Sequence, residues 1–137
     1  MKLTEQDIRE YIQDRSAADN DGMGLSFSTA EIASAMKNAA RAYNSIPPLV
    51  SFVSPDDLSG DTTIFLDAVA EQLYIAERAR LMRQDIDYNA GGVVTPIERK
   101  RIEHLGNLIK EHADRFRTAA VAHKRSVNIS RGYRHFT

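Results

Sequence analysis

The segment that most constrains the fold runs from Phe27 to Pro48 in a chain of 137 residues. It reads as an amphipathic helix with both ends marked. Ser28 with Glu31 three positions on forms a capping box, in which the hydroxyl accepts an orphaned backbone N–H of the first turn. Phe27 and Ile32 bracket that box as a hydrophobic staple. At the far end Pro47 disfavours helical angles at Ile46, so the helix is expected over 29–44. Ile32, Ala35, Met36, Ala39 and Tyr43 recur at helical spacing, and the many alanines let a neighbouring backbone come close.

Three further helices are expected around this one. The first begins at Thr4, with Asp7 in its first turn, Leu3 placed to staple onto Ile8, and a narrow stripe of Ile8, Tyr11 and Ile12. Ser16 to Leu25 reads as a loop by composition, and Ile46 to Gly60, with three prolines, as an extended piece or a short turn. Asp61 is placed to cap a third helix over 62–86, whose apolar residues cover a wide arc and so suit a central position. Asp87 to Val94, with Gly91-Gly92, breaks the chain. Thr95-Pro96-Ile97-Glu98 then opens a fourth helix with a cap, a proline at the first helical position and an early acid, carried to about residue 122 by Ile97, Ile102, Leu105, Leu108, Ile109, His112 and Phe116. The expected fold is all-α: a compact bundle of about four helices over 1–123 with an extended arm over 124–137.

Composition excludes more chemistry than it suggests. There is no cysteine, so disulfides, thiol nucleophiles and thiolate metal sites are ruled out together. At 42% hydrophobic and 27% charged, the chain can bury a core and is not a disordered polymer. The start of the sequence lacks the apolar stretch of a leader peptide, and no uncharged apolar run approaches the roughly 20 residues that span a bilayer. A soluble intracellular product is the expectation. Asp19-Asn20-Asp21-Gly22 resembles the start of a calcium loop, but with Gly22 at position 6 the loop ends fall on Ala17 and Ser28, neither of them a carboxylate. His104, His112, His123 and His135 form no His-x-x-x-His pair, and His112 falls on an apolar helix face as a core or interface residue would. Asp67 and Glu71 stand one turn apart, yet no third group converges on them in the sequence. No cofactor, no metal and no catalytic residue is expected.

The last stretch differs in kind. Lys124, Arg125, Arg131 and Arg134 lie in residues 118–137, which contain no acid. Ser126-Val127-Asn128-Ile129-Ser130 alternates polar and apolar, a weak strand signal, and Tyr133 and Phe136 are interleaved with the charge. Apolar residues so near a chain end have little company for a core of their own. Docking on a partner, by strand addition to a sheet edge for example, is one reading, and a frayed end is the plain one. Cations with interleaved aromatics also suit incidental contact with nucleic acid, together with Arg99-Lys100-Arg101.

Two strings carry a family resemblance. "FSTAEIASAMKNAARAYNSIPP" (27–48) and "LYIAERARLMRQDIDYNAGGVV" (73–94) resemble the neck proteins of tailed bacteriophages, the head-to-tail adaptor or connector subunits beneath the portal. The order of elements and the extension after the last helix are similar too. The resemblance implies a non-enzymatic virion subunit, made in the host cytoplasm, that assembles as a homo-oligomeric ring, expected to be twelvefold, on the portal. It also implies contacts with the portal protein and with downstream neck or tail proteins. By position it assigns Lys124, Arg125, Val127, Ile129, Arg131, Tyr133, Arg134 and Phe136 to binding the portal or a neighbouring subunit. The alternative from the residues alone is a small helical nucleic-acid-associated or regulatory protein that uses its basic end.

Overall fold

A computed structural model describes residues 3–19, 27–47, 53, 62–90 and 96–135. Four helices follow one another: α1 (Glu5–Asp19), α2 (Thr29–Ser45), α3 (Thr62–Ala90) and α4 (Pro96–His135). No strand occurs among the described residues. The all-α bundle is as expected, and most of its boundaries follow from local chemistry.

At the start of α1, Thr4 and Asp7 cap each other. Thr4 donates its backbone N–H and its hydroxyl to Asp7 Oδ2, and the Asp7 N–H is donated to Thr4 Oγ1. Leu3 and Ile8, the anticipated staple, are both buried. Ser28 caps α2, its Oγ accepting the Glu31 N–H at 3.1 Å, and Phe27 and Ile32 are buried in the same core. Replacing Ser28 with alanine is expected to cost about 1 kcal/mol in urea unfolding, with little change in slope. Helix α2 ends at Ser45, where the N–H of extended Ile46 is donated to Tyr43 O. Just beyond, Asn44 holds Val53 by both sides of its amide: Nδ2 donates to Val53 O at 2.9 Å and Oδ1 accepts from Val53 N at 2.8 Å.

Helices α3 and α4 form the spine. Asp67 lies opposite His112, and the guanidinium of Arg78 lies over Gly106, so the two helices run antiparallel. On the other side the ring of Tyr43 in α2 meets that of Phe65 in α3 at a tilt, 5.1 Å between centroids, while Glu31 lies within electrostatic reach of Arg80, so α2 is antiparallel to α3 as well. The main core draws Ile8 and Ile12 from α1, Ile32 and Ala39 from α2, Ile64, Phe65 and Val69 from α3, and Phe116 and Ala120 from α4. A second, smaller cluster of Ala70, Tyr74, Leu105 and Leu108 continues along the hairpin. The wide apolar arc expected for α3 is explained by its three helical neighbours.

Several expectations about the ends of elements are corrected. Residues 16–19, expected in a loop, complete α1, and residues 87–90, expected as a break, complete α3. The larger correction is at the C-terminus. The extended arm expected over 124–137, with its strand signal at Ser126–Ser130, is helical through His135 as the last third of α4. A helix already nucleated and packed adds residues at little cost, so it continues through Val127 and Ile129 despite the intervening Ser126, Asn128, Ser130 and Gly132. At 40 residues α4 is about 60 Å long. From the Asp67–His112 and Arg78–Gly106 register, it overshoots the start of α3 by roughly 20–27 Å. The acidic turn at 20–22, the 54–61 stretch with Asp61, the Gly91-Gly92 break and Thr95 lie outside the described residues.

Candidate functional site

Lys124 is not part of a docking surface. Its side chain is 0% exposed, with Nζ donating to Tyr43 O at 2.6 Å and to Ile46 O at 2.7 Å. The same ammonium sits 4.5 Å from the centroid of the Tyr43 ring. These carbonyls belong to the end of α2, where the last turn of a helix leaves acceptors without intrahelical donors and carries the negative end of the helix dipole. A lysine reaching across from α4 answers both needs at once. Burial pulls its pKa below the usual lysine range. The boundary between body and projection therefore lies just after Lys124, one residue beyond its expected position.

Beyond that point the surface opens. Arg125, Ser126, Asn128, Ile129 and Ser130 are exposed, Val127 is half-buried, and Ile129 at 58% is the most exposed large apolar side chain among the described residues. Arg131, Tyr133 and Arg134 continue the helical backbone, and Phe136 lies outside the described residues. The structure thus gathers Arg125, Val127 and Ile129 on a projecting helical end and sets Lys124 apart from them.

A second feature escaped sequence reasoning. At the join between the two apolar clusters, Asp67 Oδ1 accepts from the Tyr11 hydroxyl at 2.7 Å and lies 2.7 Å from His112 Nδ1. Tyr11 meets the imidazole edge-on at 5.9 Å, and Tyr74 lies against it at 5.5 Å. His112 is completely buried, and its Nε2 has no hydrogen-bond partner. With Nδ1–H donating to the Asp67 carboxylate, Nε2 is left unpaired among aromatic neighbours. One carboxylate thereby ties α1, α3 and α4 together. Asp67 and His112 were each visible as residues out of pattern, but their pairing across 45 positions was not.

Glu71, one turn along α3, is half-buried, and burial pushes its carboxyl pKa up, an effect only partly opposed by His112. An acid whose pKa is raised on folding binds its proton more tightly in the folded state, so its contribution to stability is lost as pH rises from the ordinary carboxylate range through the raised value. Glu71→Gln is therefore expected to raise the unfolding midpoint at pH 7, with the gain shrinking as pH falls through the raised value and gone below the ordinary carboxylate range. Urea titrations at several pH values measure it, and a gain independent of pH would contradict the burial of this carboxylate.

The polar cluster offers a carboxylate, an imidazole and two phenols but no exposed nucleophile, and no group of three His, Asp or Glu residues suited to a metal occurs among the described residues. No described helix is long and apolar enough to cross a membrane. No family model, curated protein or solved structure matches this chain.

Proposed function

We propose that this chain is a structural subunit of a tailed-phage head-to-tail connection, a ring component that sits beneath the portal and docks through the projecting end of α4. The observation that carries the reading is the division of α4 at Lys124. Before it, the side chains of the bundle are locked into one body by core and cap. After it comes a helical end with an exposed Ile129, flanking cations and no acid. A body that buries its core and a projection that cannot bury its own apolar residue suit a part that completes itself on a neighbour. The resemblance of residues 27–48 and 73–94 to neck proteins points the same way. Docking would be by a formed helix rather than an arm that orders on contact, which lowers the entropic cost of assembly.

Quantitative mass spectrometry of density-purified particles, normalised to the portal, tests this. About one copy per portal subunit is expected, and absence from intact particles would end the reading. The acid-free, cationic end favours one alternative, a nucleic-acid-associated protein. That alternative requires DNA affinity that falls steeply with salt, where the ring reading requires none.

A further inference from the structure

The ammonium of Lys124 ends in a chamber whose walls are held by other residues. Tyr43 O accepts the Ile46 N–H at 3.2 Å as well as Lys124 Nζ, so the turn that closes α2 fixes this carbonyl without the lysine. Ile46 is extended, at φ −77° and ψ 125°, the conformation that Pro47 favours in the residue before it. In that conformation Ile46 O meets the same ammonium from a second direction. The Tyr43 ring is buried and set against Phe65, 5.1 Å between centroids. Asn44 steadies the chain beyond the helix by gripping Val53 at both of its backbone groups. The string Tyr43-Asn44-Ser45-Ile46-Pro47 thus supplies two converging carbonyls and an aromatic face within five positions.

These walls select one kind of ion. Carbonyl oxygens at the negative end of a helix dipole and the face of a phenol ring all favour positive charge. The carbonyls also require N–H donors, which an ammonium on a single carbon stem offers and a quaternary ammonium lacks. Among the described residues no acid forms an ion pair with Lys124, so selection falls to dipoles and the ring. We propose that the end of α2 is a preformed binding site for a primary alkylammonium ion, which Lys124 fills as a tethered ligand of its own chain. The tether gives Lys124 a high effective concentration, so the wild-type site takes no free amine. Shortening the side chain to alanine removes three carbons and the ammonium, and leaves a slot with the outline of n-propylammonium. The hydrogen bond to Ile46 O is only part-buried, which gives the slot an approach from solvent. A cavity made by truncation takes up a ligand that matches its shape and polarity. The site belongs to the body of the bundle and is independent of any contact made by the projecting end.

The test is chemical rescue. Full-length Lys124→Ala is unfolded with urea at neutral pH in n-propylammonium chloride and, separately, in sodium chloride of the same concentration. At about 100 mM the amine is expected to raise the folded-to-unfolded ratio of this variant about threefold over sodium, as a ligand with a dissociation constant of about 50 mM would. Wild type and Lys124→Met, whose slots are filled, are expected to gain nothing. A nuclear Overhauser contact between the methylene next to the ammonium and the Tyr43 ring is expected to place the amine. No gain in Lys124→Ala, an equal gain from tetramethylammonium or from 1-propanol, or the same gain in wild type would overturn the proposal. If Lys124→Ala is already unfolded in sodium chloride, helical circular dichroism is expected to return as the amine is added, and no return overturns the proposal equally.

Discussion

A chain ended after Ser126 is expected to unfold at the same urea concentration as the full-length body, whereas one ended after His123 loses about 2–4 kcal/mol. The two differ by three residues, and the one that matters is Lys124. Its removal leaves the buried Tyr43 carbonyl and the half-buried Ile46 carbonyl without their cation and takes the ammonium from the face of the Tyr43 ring. Lys124→Ala in the full-length chain isolates the effect from truncation, and a loss of the same size is expected with an unchanged denaturant slope. Lys124→Met keeps most of the stem packing and still loses the two hydrogen bonds, so it should fall between alanine and wild type. If Lys124→Ala unfolds within about 0.5 kcal/mol of wild type, the ammonium is not what closes α2. The chain ended after Ser126, folded but without its projection, is also the clean reagent for assembly, and it is expected to join no particles.

Asp67→Ala should be comparably damaging, at about 2–4 kcal/mol, because it strips the acceptor from a buried imidazole whose other nitrogen already has none. Asp67→Asn keeps an acceptor for Nδ1–H and should cost less. The decisive comparison is a double-mutant cycle with His112→Leu. Removing both partners leaves no buried imidazole without its acceptor, so the double variant should be more stable than the sum of the single losses predicts, by about 1–3 kcal/mol. Simple additivity would show that the 2.7 Å contact contributes nothing of its own.

What could be read from the chain alone was what depends on near neighbours. The Ser28 cap, the Phe27–Ile32 staple, the Thr4 start and the stop before Pro47 each rest on residues within five positions, and each stands in the structure. The course of α4 after residue 122 was missed because Val127 and Ile129 favour a strand locally, while the helix that carries them is anchored by packing over the preceding turns. Lys124 was misread for a related reason. A lysine in a basic stretch looks solvated until the end of another helix, 78 to 81 residues earlier, is placed within its reach. His112 was rightly placed inside, but its partners Asp67 and Tyr11 come from two other helices, and no periodicity encodes such a meeting.

The projecting end of α4 places a particular burden on changes in chain length. Each residue added between Lys124 and Ile129 would advance everything beyond it by about 1.5 Å and swing it by about 100°. A single insertion would thus turn Ile129 away from whatever it meets, while an insertion of a whole turn would nearly restore its bearing at a new distance. Homologous chains with the same rooted helix should tolerate exchange of side chains there far more readily than gain or loss of one or two residues, and permitted length variants should cluster near multiples of three or four. A flexible tether would show no such rhythm.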